Sequence, residues 1–285
     1  MALAITGINT GVIRHGNQFQ ALALILKHPH NQTSLFLMPA LVLRDLYICC
    51  EHRLHLQRLG NAKTKAAFQQ KQQAATQALH NNIPVLNREM LLQATPRQHV
   101  ETLTPRDTRA DSVTLALRLQ DGQTCDVIVE DAQIALLINA VTHALNNAGM
   151  HALSLRLSSL LDFLPLYDAE IKASGELEYD NYQHPAWKLT LFTHSLALVY
   201  HYTDSSGQQR ACGTVIKTRV RGEMKAAQAI AKRLLAFSPR LKALEKTACR
   251  ITVTTLASGA GHLPREHCLK ALHQLWQKTR PVHAE

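Results

Sequence analysis

One switch of hydrophobic period constrains this chain more than anything else in it. Leu22, Leu24 and Leu26 alternate as strand residues do, and a polar turn then leads to a second strand, "SLFLM". From Leu43 the apolar spacing becomes that of a helix, through Leu46, Tyr47, Cys50 and Leu54. The order returns without gaps further on. Leu115, Leu117 and Leu119 lead through "QDGQ" to "CDVIV", then to Ile134, Leu137, Ile138, Val141 and Leu145. Both helical sets fall at i, i+3, i+4, i+7 and i+11, which is a single apolar face. A looser third copy runs through two strands around "DSSG" to Ile230, Leu234 and Phe237, and a strand (250–256) and helix (265–277) close the chain. A lone hairpin is rarely stable, so its strands must pair further and a helix must cover them. The expected class is α+β: antiparallel β-hairpins, each followed by a covering helix. The recurrence reads either as an internal repeat or as the ordinary look of a hairpin and helix in a Leu-rich chain.

Two stretches interrupt these units. Gly60 to Asn82 is rich in Ala, Gln and Lys, with a thin apolar stripe of Ala67, Phe68, Ala75 and Leu79, and is expected to be an exposed helical arm. Thr95 to Ser112 carries Pro96 and Pro105 and reads as a linker. The expected division is therefore 1–94, with the arm at 60–82, a linker at 95–112, and 113–285. A hydrophobic fraction of 46% against 18% charged residues marks a folded chain, and 5% aromatics leave Leu, Ala, Val and Ile to fill its core.

No export signal is visible at the start, and the clean apolar run Ala21 to Leu26 is far short of the roughly 20 residues of a membrane span. The six cysteines form no C-x-x-C pair, which fits reduced thiols. A cytoplasmic protein with no membrane contact is the expectation.

Charge is distributed unevenly. The first 216 residues hold 17 Lys and Arg against 17 Asp and Glu, whereas residues 217–285 hold 14 against four, so the formal net charge of +10 resides in the last quarter. A field of one sign attracts anions, and phosphate backbones are the polyanions it most often meets. The candidate anion-binding residues are Lys217, Arg219, Arg221, Lys225, Lys232, Arg233, Arg240 and Lys242, joined by Gly259, Gly261, His262 and Arg265 in "TLASGAGHLPREH". There a Gly-rich loop precedes a helix with Pro264 in its first turn, a place where free N–H groups suit an anion. Phe237 is the one aromatic between 217 and 246, so reading by base stacking is not expected. The competing reading is a solvated helix face neutralised by carboxylates from elsewhere, with Glu176, Glu178 and Asp180 as the candidates.

Other clusters are weaker. "CCEHRLH" (Cys49 to His55) spaces possible metal ligands three apart, yet Cys50 belongs to the apolar stripe and no second ligand pair accompanies it, so no metal is assigned. Ser258 and His262 lack the elbow and the orienting acid of a hydrolase, so no catalytic residue and no cofactor are assigned either.

Three stretches, "ITGINTGVIR", "TSLFLMPALVLRDL" and "FSPRLKAL", resemble the YjeJ-like family of bacterial proteins over most of the chain. That resemblance implies a bacterial cytosolic protein and brings no activity, cofactor or site residue with it. The favoured reading is a non-enzymatic binding protein whose basic last quarter holds a polyanion such as nucleic acid. The alternative is an assembly protein that forms a homo-oligomer, or meets a protein partner, through open sheet edges or the helical arm. An enzyme using the loop at 258–262 ranks third.

Overall fold

Strand β1 (Leu3–Ala4) leads into a meander of β2 (Gly7–His15), β3 (Gln18–Lys27) and β4 (Thr33–Met38), followed by helix α1 (Ala40–Arg58). This computed structural model describes residues 2–159, 161–220, 224–256 and 263–280. After α1 come α2 (Ala62–His80) and α3 (Arg88–Leu92). A second meander then follows, β5 (Val100–Thr108), β6 (Ser112–Leu119) and β7 (Thr124–Glu130), with α4 (Asp131–Asn147) and α5 (His151–Ser159) behind it. The chain divides into two units at residues 161 and 162.

In the first unit the strand orders are β2-β3-β4 and β1-β7-β6-β5. β4 meets the residue just before β5 at one parallel bridge, Leu37 with His99. The expected helical faces are inside: Leu43, Leu46, Tyr47, Cys50 and Leu54 of α1, and Ile134, Leu137, Val141 and Leu145 of α4, are buried. Tyr47 ties the two helices together, its hydroxyl lying 2.8 Å from Thr142 Oγ1. Strand β3 is buried on both faces rather than one. Its Leu face meets the helical side, while Ala21 and Ala23 pack with Leu37 beneath Leu86, Leu91 and Ala94 of the chain that follows α2.

Local chemistry sets the helix starts. Asn61 accepts the Thr64 N–H ahead of α2, and Glu130 with Gln133 forms a capping box for α4. In the turn "QDGQ" Gly122 takes φ +87°, a conformation that favours glycine. The expected linker behaves differently. β5 occupies half of 95–112 as a ladder partner of β6, and the division of the chain falls fifty residues later. Pro105 suggested an irregular segment, but β5 ends its sheet, where one strand side needs no donor.

The second unit is a five-stranded antiparallel sheet with the order β12-β10-β11-β8-β9. Its strands are β8 (Phe163–Ile171), β9 (Leu177–Asn181), β10 (His194–Thr203), β11 (Gln209–Thr218) and β12 (Arg250–Leu256). Helix α6 (Ala186–Thr190) precedes β10, α7 (Met224–Phe237) follows β11, and α8 (Arg265–Thr279) follows β12. Side-chain alternation sends the two long helices to opposite faces. Ala197, Val199, Ala211 and Val215 pack against Cys268, Leu272 and Leu275 of α8. On the other face the Tyr200 hydroxyl donates to the Ala231 carbonyl of α7 at 2.9 Å. The "DSSG" turn forms as expected, with Gly207 at φ +81°. No described helix is long and apolar enough to cross a membrane.

Candidate functional site

Helix α7 buries Ala227, Ile230, Ala231 and Leu234 and leaves Lys225 and Lys232 exposed. Seven residues are close to two helical turns, so both ammonium groups leave from one side. No acid lies within the helix. Lys242, in the 3-10 turn after α7, and Lys246 are exposed as well. Among the described residues none of these four lysines makes an ion pair.

The remaining candidates are placed elsewhere. Lys217 is fully buried near the end of β11, where its Nζ donates to the Leu189 carbonyl at 3.0 Å. Burial lowers its pKa, since an ammonium away from water is disfavoured. Arg219 lies 4.6 Å over the Phe192 ring. Arg233 clamps Asp162 through two bonds, 2.9 and 2.6 Å, with its guanidinium 5.6 Å from the Phe163 ring. Arg240 donates to Asp180 at 2.5 Å and lies 3.4 Å from Glu178. Arg265 opens α8, on the sheet face opposite α7, together with Lys270 and Lys278. Arg221, Gly259, Gly261 and His262 lie outside the described residues, as does Ser258.

The described candidate cations therefore do not share one surface. Two helices on opposite faces of a sheet cannot present their cations together, a strand residue beneath a helix cannot reach solvent, and two arginines are held by carboxylates. Asp180 and Glu178 neutralise Arg240, as the competing reading anticipated, whereas Glu176 pairs with Lys172 at 3.3 Å instead.

Two polar arrangements have no counterpart in the sequence reading. Asp168 is completely buried between the sheet and α7. It accepts the Tyr182 hydroxyl at 2.8 Å and the Ser238 hydroxyl. Burial, followed by the Asp168 charge, pushes the Tyr182 pKa above the ordinary phenol range.

In the first unit Arg53 and Asp131 form a buried bidentate pair, 2.7 and 2.8 Å, and Gln57 donates to the same carboxylate at 2.5 Å. Arg53 also donates to the Arg109 carbonyl at 2.9 Å. This cluster sits beside an open groove of about 590 Å³ walled by Ala67, Phe68, Lys71 and Ala75 of α2 and by Glu130 and Ala132 at the start of α4. The capping pair Glu130 and Gln133 is the local signal that could have marked the start of α4. The partner of Asp131 has no such signal, because it lies 78 residues away.

The fold defines an α+β chain of two units, each built mainly of antiparallel strands covered by helices, with a lysine-bearing helix on one face of the second. The chain belongs to the YjeJ-like family, whose pattern it matches over residues 1–281. It is 44% identical over 276 residues to "Uncharacterized protein YjeJ" of Escherichia coli (strain K12), a match that covers 96% of each chain. No solved structure matches.

Proposed function

We propose that the chain is a non-enzymatic binding protein that contacts a polyanion along α7, through charge and without reading bases. The observation that carries this is the exposed pair Lys225 and Lys232 on one side of α7, with Lys242 and Lys246 exposed in the turns after it. Each lysine placed on a phosphate releases condensed counterions, so affinity falls with salt in proportion to the number of contacts. Four contacts on duplex DNA give a log–log slope of about −3.6, a loss of roughly 150-fold between about 50 and 200 mM salt. Eight cations on one surface would give a slope of about −7. With Phe237 the one aromatic residue in the sequence of α7, discrimination among sequences is expected to be small.

The test is a titration of labelled duplex DNA at rising salt, with the parent and with Lys225→Glu/Lys232→Glu. The expected result is a slope near that of four contacts in the parent, with about half of it lost in the variant. An isotherm unchanged across that salt range, or a variant that binds like the parent, removes the proposal.

A further inference from the structure

The sheet of the second unit ends on a strand that has few of the devices that keep a sheet edge from pairing. β12, "RITVTTL", runs seven residues against β10 in unbroken register from His201–Arg250 to Ser195–Leu256. It contains no proline, glycine or bulge, and no charge after Arg250. Among the described residues no strand meets its outer side.

The other strand ends of the molecule differ in this respect. β9, at the far end of the same sheet, is five residues long and carries Glu178 and Asp180. β2 has a bulge at Ile13/Arg14, and Gly7 and Gly11 lie under residues 82–86. β1 has two residues, β4 bridges through Leu37 to His99 just before β5, and β5 carries Pro105 and two register shifts. Short length, charge, bulges and covering segments are the usual protections of an edge. β12 is neither short nor bulged, and its one charge, Arg250, stands at its first residue.

What fits a row of outward backbone N–H and C=O groups is another strand, and the side chains of β12 suit a second copy of itself. We infer that two copies of this chain join antiparallel through β12 about a twofold axis at Val253, making one continuous ten-stranded sheet. That register sets Val253 opposite Val253, Thr252 opposite Thr254, and Ile251 opposite Thr255. Thr–Thr and β-branched cross-strand pairs are favourable ones. The lone charge, Arg250, falls opposite Leu256, so no like charges meet. A twofold interface must be self-complementary in this way. Ile251, Val253 and Thr254 are half-buried within one copy and Thr255 is exposed, which leaves apolar and hydroxyl surface for the partner strand to cover. The inference goes beyond polyanion binding and does not depend on it.

The experiment uses the full chain without nucleic acid. Sedimentation velocity at about 1–100 µM is expected to show a dimer. Thr255→Lys, at an exposed position opposite Ile251, is expected to raise the dimer dissociation constant at least about tenfold while leaving the unfolding midpoint in place. Val253→Cys, at the axis, is expected to give a disulfide-linked dimer on mild oxidation, because directly opposed strand residues lie within bridging distance. A parent that stays monomeric throughout that range overturns the inference. So does a dimer indifferent to Thr255→Lys, or a dimer that Val253→Cys fails to cross-link.

Discussion

Replacing Asp131 by Asn should unfold the first unit early and leave the second untouched. The substitution keeps size and an acceptor oxygen but removes the charge facing Arg53, whose side chain is 4% exposed. Arg53 would keep its bond to the Arg109 carbonyl, and Gln57 would lose a charged acceptor. Breaking a buried ion pair on one side costs about 3–5 kcal/mol, because the surviving charge remains away from water. A carboxylate at the first residue of α4 also lies favourably at the positive end of the helix, worth about 0.3–1 kcal/mol. With a urea dependence of about 2 kcal/mol per M, a loss of 3 kcal/mol lowers the midpoint by about 1.5 M. Both tryptophans, Trp187 and Trp276, belong to the second unit. Their fluorescence therefore follows that unit, while far-ultraviolet circular dichroism follows both. Asp131→Asn should move the dichroism transition and leave the fluorescence transition in place. Arg53→Met/Asp131→Leu, which removes both charges, should recover most of the loss. A dichroism midpoint lowered by less than about 0.5 M, or a double variant as unstable as the sum of the singles, would refute this reasoning.

Two further predictions concern single positions. His201 is buried across from Arg250, with Nε2 2.8 Å from Thr279 Oγ1, and burial followed by the Arg250 charge lowers its pKa. The unfolded chain then takes up a proton that the folded one refuses, so stability of the second unit should fall as pH drops through about 6.5. Measured by tryptophan fluorescence, His201→Gln should show a smaller fall, and an equal one would refute the assignment. Gly7→Ala would place a methyl carbon 1.9 Å from the Asn82 carbonyl oxygen, where the chain after α2 crosses β2. Such overpacking costs about 1–3 kcal/mol, read as an earlier dichroism transition, and an unchanged midpoint would show that this segment yields freely.

The two hydrophobic periods were enough to place hairpins and helices along the chain, because period follows from local backbone geometry alone. Leu43 to Leu54 and Ile134 to Leu145 are buried along the stripes their spacing describes, with Ile138 half-buried at the margin. The helix at 62–80 and the strand at 250–256 lie where composition put them. β5 was hidden because Pro105 signals irregularity locally, while an edge position that tolerates proline is a property of the whole sheet. Asp168 gave no local sign either. Its hydroxyl partners Tyr182 and Ser238 stand 14 and 70 residues away.

Charge shows the same division most plainly. The sequence by itself determined that ten net positive charges lie after residue 216. Only the tertiary structure decided which of them meet solvent. It buried Lys217 beneath α6, gave Arg233 to Asp162 and Arg240 to Asp180, and set α7 and α8 on opposite faces of one sheet. Net charge is a sum over residues and survives any folding of the chain. A charged surface is a vector arrangement, fixed by strand alternation and helix placement, and these depend on contacts between residues far apart in sequence.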